Sequence, residues 1–242
     1  MELAGAVCLV TGASSGIGRA TAQRLVAEGA EVLALGRNPN ALEATGGRPI
    51  VCDLTDDDAV AAAVETAGPV DVLVNNAGIG WAGPFAELDA ATLDRLVRIN
   101  LVAPVLLTSA FLPGMLERGR GHVVNVGSIV GLVGAKDEAG YASTKGGLVA
   151  FTESLRQELS DTQVKVSLVT PGAIATAFFE RRGTPYLRRF PRTVPPVRVA
   201  DAILDAIRHD RDEVYVPRWL AFPPRFHSML PGLYRALAAR FG

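Results

Sequence analysis

The chain has 242 residues, 49% of them hydrophobic, enough to bury a core of ordinary size in one domain, 1–242. Basic and acidic residues nearly cancel, 24 against 25, which argues against a polyanion-binding surface and against nucleic acid as a partner. Cys8 and Cys52 sit in short apolar runs and read as core thiols, and no basic, long-apolar leader precedes them. A reducing, cytoplasmic setting without export or membrane spanning is therefore expected.

Short apolar or β-branched runs of strand length recur at 6–11, 31–36, 49–52, 70–75, 122–127 and 164–170. Between them lie stretches with helical spacing at 17–28, 56–66, 93–116, 141–159 and 199–208. Parallel neighbours need a crossover, usually a helix, so this alternation predicts an α/β fold with a doubly wound parallel sheet covered on both faces. Residues 173–197, denser in Pro, Arg and aromatic side chains, read as a substrate lid, and 218–242 as an irregular C-terminal extension of the same domain.

The first strand runs into TGASSGIG, with glycines at Gly12, Gly16 and Gly18. A glycine-rich turn that opens a helix lets backbone N–H groups approach a pyrophosphate at the positive end of the helix dipole. The second strand ends at Gly36-Arg37 with no carboxylate for a free ribose 2′-hydroxyl, whereas Arg37 can pair with a 2′-phosphate. The cofactor expected is NADP, with NAD the alternative. Asp53, after the third strand, is either a helix N-cap or a cofactor contact. The fourth strand leads into Asn75-Asn76-Ala77-Gly78, small residues that leave room at the crevice where the sheet reverses direction.

Tyr141 and Lys145 are four apart on a predicted helix and share a face. A lysine about 4 Å from a phenolate contributes roughly 4 kcal/mol at an effective dielectric of about 20, about three pKa units. That would bring a phenol of reference pKa about 10 toward the neutral range where acid–base catalysis works best. Ser128, just past the fifth strand, is the second group for holding a substrate oxygen. The three histidines, His122, His209 and His227, are scattered, so no metal site is expected.

Together the glycine turn, the NNAG and a serine 13 residues before Tyr-x-x-x-Lys resemble the short-chain dehydrogenase/reductase family over about residues 5–217. The resemblance implies a Rossmann-like, mainly seven-stranded parallel sheet and an NAD(P)-dependent oxidoreductase acting between a carbonyl and a secondary alcohol. It places Ser14, Ser15 and Ile17 along the cofactor, Asp53 at the adenine with Leu54 beside it, and Asn76, Ala77 and Gly78 near adenosine and ribose. Ser15 is a counter-signal to NADP, because some NADP-preferring relatives carry a basic residue there. In Pro171-Gly172-Ala173-Ile174-Ala175-Thr176 it puts the Ile174 backbone and the Thr176 hydroxyl on the carboxamide. Tyr141 becomes the acid/base, Lys145 also binds the nicotinamide ribose, and Asn100 holds a water that links Lys145 to solvent. A kink or packing role near Pro104 is the other reading of Asn100.

The lid aromatics, with Trp81, Phe85 and Leu132, favour a hydrophobic small-molecule substrate, while Arg181, Arg182, Arg188 and Arg189 read mainly as a solvated face, contact with an anionic substrate group being the alternative. A non-catalytic dinucleotide sensor or scaffold is the alternative function, disfavoured because it has no use for a proton donor. The resemblance implies a homodimer or homotetramer through the long helices after strands four and five. In the extension, Leu230, Leu233, Tyr234, Leu237 and Phe241 fall on one helical face. They fit a subunit contact, a cap over the substrate entrance, or peripheral membrane contact.

Overall fold

A computed structural model describes residues 1–186 and 191–241. The chain begins with β1 (Val7–Thr11), α1 (Gly16–Ala27), β2 (Glu31–Gly36), α2 (Pro39–Glu43), β3 (Arg48–Val51), α3 (Asp57–Ala67) and β4 (Val72–Asn75). There follow α4 (Ala90–Val97), α5 (Ala103–Glu117), β5 (Gly121–Val126), α6 (Ile129–Val133), α7 (Ala139–Glu158) and β6 (Val164–Pro171). The last elements are α8 (Phe178–Arg181), α9 (Pro196–His209), β7 (Glu213–Val216), α10 (Phe222–Met229) and α11 (Pro231–Phe241).

All seven strands are parallel, in the order β3-β2-β1-β4-β5-β6-β7. Because side chains alternate along a strand, each central strand feeds two cores. Cys8 and Val10 of β1, Val72 and Val74 of β4, and Val124 and Val126 of β5 face the layer of α1 and α9, with Leu25, Ile203 and Ile207. Leu9, Leu73 and Val123 face the opposite layer of α3, α5 and α7, with Val60, Leu107, Phe111 and Leu155. This is the doubly wound sheet that the sequence predicts.

The segment read as one helix over 93–116 is continuous from 90 to 117 but broken by a π-helical turn, Arg98–Val102, between α4 and α5. Pro104 has no N–H to give to the carbonyl four residues back, and the Ala103 N–H reaches instead to Arg98 O. With a mean hydropathy of 1.8 this stretch is long and apolar enough to cross a membrane by length and composition. Here Leu107, Phe111 and Met115 lie buried against the sheet.

The extension departs from expectation. The described residues 218–241 are not irregular: a 3-10 turn at Arg218–Ala221 leads into the α10–α11 hairpin. Its prolines occupy first turns, where a missing N–H costs no helical bond.

Candidate active site

The carboxyl ends of β1, β2, β4, β5 and β6 open into a cavity of about 560 Å³. Along one side lie Gly12, Ser14, Ser15, Gly16 and Ile17 of the first turn, with Arg37, Asp53 and Leu54 beyond them. Asn76, Ala77 and Gly78 form the floor, and Ser128, Tyr141 and Lys145 stand with Pro171, Gly172, Ile174 and Thr176 at the other end. Gly18 and Asn100 do not line it and support it from behind.

The first turn is built by close approach. Gly12 has φ +66°, and a Cβ there would come within 2.9 Å of Ala77 Cα. A Cβ on Gly18 would sit 2.4 Å from Gly12 O and 2.5 Å from Asn76 Nδ2, so only glycine lets α1 start against the turn. Thr11, which sequence reasoning passed over, ties the two halves of the crevice together. Its Oγ1 accepts from the N–H groups of Asn76 and Ala77, both at 2.9 Å, and Asn76 Nδ2 donates to Thr11 O at 2.9 Å. A hydroxyl at the last position of an otherwise apolar strand was the signal available.

At the edge of the crevice Arg37 lies 3.8 Å from Asp53, both exposed. Asp53 is not an N-cap; Asp56 caps α3 by accepting from the N–H groups of Asp58 and Ala59. The Asp53 carboxylate instead accepts from the Thr55 N–H at 3.0 Å and its hydroxyl at 2.9 Å. The Thr55 N–H first, with the Thr55 hydroxyl and the nearby Arg37, holds its pKa below the usual carboxylate range. Gly36 does more than leave room, since a Cβ there would press on Leu42 Cδ2 at 3.2 Å.

Ser128 caps α6, its Oγ accepting from the Val130 N–H at 3.3 Å. Tyr141 and Lys145, on the first turns of α7, are buried. The expected lowering of Tyr141 by Lys145 is absent from the protein alone. Burial pushes the phenol up to about 12, opposed by its hydrogen bond with Ser128, while Glu138 raises it and Arg182 lowers it. Lys145 is not among the groups acting on it, and its Nζ donates to Val126 O at 2.9 Å. Burial in turn pulls the ammonium down to about 8. Depth of burial, invisible in a Tyr-x-x-x-Lys spacing, reverses the sign for the protein alone.

Asn100 is fully buried at the centre of the π-helical turn. Its Oδ1 accepts from the Ile79 N–H, while its Nδ2 donates to Ile79 O and to Thr144 Oγ1. A packing role is thus present, directed at Ile79 and at α7.

Residues 6–186 match the family model described as short chain dehydrogenase. The chain belongs to the short chain dehydrogenase family. It is 35% identical over 227 residues to the ketoacyl reductase HetN of Nostoc, an alignment covering 88% of this chain and 79% of the relative. A short-chain dehydrogenase from Sphingobium yanoikuyae, solved with NADPH, superposes with a TM-score of 0.82 at 28% identity, over 94% of this chain and 95% of that one. A 3-ketoacyl-(acyl-carrier-protein) reductase from Brucella melitensis, solved with NADH, does so with 0.81 at 28%, over 88% and 97%.

In this short chain dehydrogenase the segment after β6 brings Phe178, Phe179 and Tyr186 to the cavity, joined by a chain of ring contacts with centroids 4.9–5.7 Å apart from Tyr141 outward. Trp81, Phe85 and Leu132 are not among its lining residues, and Phe85 is exposed. Leu187, Arg188, Arg189 and Phe190 lie outside the described residues. Arg182 is no solvated side chain: it is buried, donates to Glu138 Oε1 at 2.9 Å and lies over the Phe179 ring. Arg181 is exposed but crosses the crevice, its Nη2 donating to Ser15 Oγ at 3.2 Å. The residues present fit a nicotinamide dinucleotide: a glycine turn at a helix start, a carboxylate-free end to β2, and an elongated cavity joining that turn to Tyr141.

Proposed function

We propose that this dehydrogenase is an NADP-preferring carbonyl reductase for a small apolar ketone, working through Ser128, Tyr141 and Lys145. The observation that carries the reading is the convergence of those three side chains at one end of a cavity whose other end is the glycine turn. NADPH, when bound, supplies the hydride that reduces the carbonyl carbon. The chain's own part is position and proton. The Ser128 hydroxyl donates a hydrogen bond to the substrate oxygen, and Tyr141 gives that oxygen its phenolic proton as charge develops there. A phenol pushed up to about 12 is fully protonated at neutral pH, which suits reduction. Lys145, held by Val126 O, has further N–H groups for the nicotinamide ribose, and Asn100 fixes the loop at Ile79 beneath it. The backbone at Ile174 and the Thr176 hydroxyl, both on the cavity wall, hold the carboxamide.

Preference for NADP rests on Arg37 and on Arg181, which carries a positive charge to Ser15, where the sequence itself supplies none. Phe178, Phe179 and Tyr186 favour an apolar substrate, and the names of two relatives as ketoacyl reductases support a ketone within an acyl chain. Exposed Leu106 and Leu116 on α5 support a homodimer or homotetramer through that helix. The test is oxidation of NADPH and NADH against aliphatic ketones and 3-oxoacyl thioesters, with Tyr141→Phe beside the parent. Turnover abolished in a variant that still binds NADPH is the expected result. Undiminished turnover in that variant overturns the assignment of the proton donor.

A further inference from the structure

The α10–α11 hairpin leaves a large apolar surface open. Of the ten exposed large hydrophobic side chains among the described residues, six belong to this segment: Trp219, Phe222, Met229, Leu230, Leu233 and Leu237. Two of these, Phe222 and Met229, are 68% and 76% exposed. Within the hairpin, Tyr234 packs edge-on against Phe226 and His227, which holds α11 to α10, while Leu230, Leu233 and Leu237 stay exposed. The hairpin is rooted at the cavity, since Leu220 in the preceding turn lines it and α10 packs on α6.

Charge is segregated along the same segment. After Glu213 residues 214–242 hold no Asp or Glu but carry Arg218, Arg225, Arg235 and Arg240, in a protein of net charge −1. Arg235 stands opposite Leu233 and Leu237 on α11, and Arg225 is exposed on α10. A two-fold contact between copies would put the same arginine-bearing segment on both sides and bring no Asp or Glu side chain from it. An anionic surface neutralises them and accepts the apolar side chains together.

We propose that residues 218–241 dock this protein on the surface of a bilayer containing anionic lipid, with the apolar face of the hairpin in the headgroup layer and the arginines at lipid phosphates. The occupant is the lipid surface, and the docking is independent of the reductase reading.

The experiment is co-sedimentation of the full chain with vesicles of phosphatidylcholine alone and of phosphatidylcholine mixed with phosphatidylglycerol, without substrate or cofactor. Binding is expected to the mixed vesicles only, to weaken with added salt, and to be lost in Leu233→Glu/Leu237→Glu. Arg225→Gln/Arg235→Gln should weaken it roughly tenfold or more. Circular dichroism and melting temperature report whether the variants keep their fold; the altered side chains are exposed, so both should match the parent. No binding to the mixed vesicles at low salt overturns the proposal, as does binding that survives both double substitutions. A parent that ignores vesicles but loses a dimer in size-exclusion chromatography on Leu233→Glu/Leu237→Glu assigns the face to a second copy and equally overturns it.

Discussion

Asn100 and Ile79 pair reciprocally: the Ile79 N–H donates to Asn100 Oδ1 at 2.9 Å, and Asn100 Nδ2 donates to Ile79 O at 2.9 Å. A side-chain amide thus imitates a strand partner for one residue of the loop that follows Asn75-Asn76-Ala77-Gly78. The π-helical turn aims it there, and Thr144 on α7 takes its remaining N–H at 3.1 Å. Asn100→Ala strips three hydrogen bonds from buried groups and should cost about 1–3 kcal/mol of stability. It should also lower kcat, since Lys145 directly follows Thr144 on the same helix. Thermal unfolding and steady-state kinetics check this. A variant with unchanged melting temperature and kcat would mean that the pairing is incidental.

The protonation states of Tyr141 and Lys145 give a pH prediction for reduction. Tyr141, pushed up to about 12 by burial, keeps its proton throughout the working range. Lys145, pulled down to about 8 by burial, is charged below that pH and neutral above it. Because kcat/KM reports the free enzyme, it should be level below about 8 and fall as pH rises through that value. Lys145→Arg, whose guanidinium stays charged, should remove that limb even if it lowers the plateau. A profile flat to the alkaline edge of stability in the parent rules out the assignment.

The proposed preference for NADPH rests on the two guanidinium groups at the crevice. Arg37→Ala and Arg181→Ala should each raise KM for NADPH by about ten- to a hundredfold, the loss of a charge-assisted hydrogen bond, and leave KM for NADH nearly unchanged. Arg37 also faces Asp53 at 3.8 Å, so part of its charge is already engaged and Asp53→Asn should tighten NADPH. Equal losses for both dinucleotides would reassign the arginines to the shared pyrophosphate.

Most of the sheet and of the cavity's polar set was legible in the sequence because both are local patterns. Strands buried on two faces read as apolar runs, and the glycine turn, the NNAG and the Tyr-x-x-x-Lys spacing each lie within one loop or helix. What was not legible depends on three-dimensional approach. Arg182 reads as one of several surface arginines until the lid folds it onto Glu138, 44 residues away in sequence. The phenol of Tyr141 reads as activated until its burial is known. Prolines 223, 224 and 231 read as breakers in an irregular tail, yet their placement in first turns makes them helix starters. The seventh strand, Glu213–Val216, is short and only half-buried at the sheet edge, so its alternation is weak.

The last prediction concerns stability and rests on His122, fully buried on β5. Ser167 donates its hydroxyl proton to Arg211 O at 2.5 Å, so the hydrogen between His122 and Ser167, at 2.8 Å, belongs to His122 Nε2. The other nitrogen, Nδ1, has no hydrogen-bond partner among the described residues and stands 3.8 Å from an Asp210 carboxylate oxygen. Burial pulls the imidazole down to about 4; Asp210 opposes that, while the chain's amino terminus and Lys165 reinforce it. The native pKa is thus below the unfolded value of about 6.5, and between the two the unfolded chain binds the extra proton. Stability is fully present above about 6.5 and declines as pH falls toward about 4, by at most about 1.4 kcal/mol per pH unit from this group. Denaturant titrations at pH 7, 6 and 5 on the parent and on His122→Gln measure it. The substitution should lower stability at pH 7 but flatten the slope between 6.5 and 5, where few carboxylates titrate, and equal slopes for the two proteins would place the acid sensitivity elsewhere.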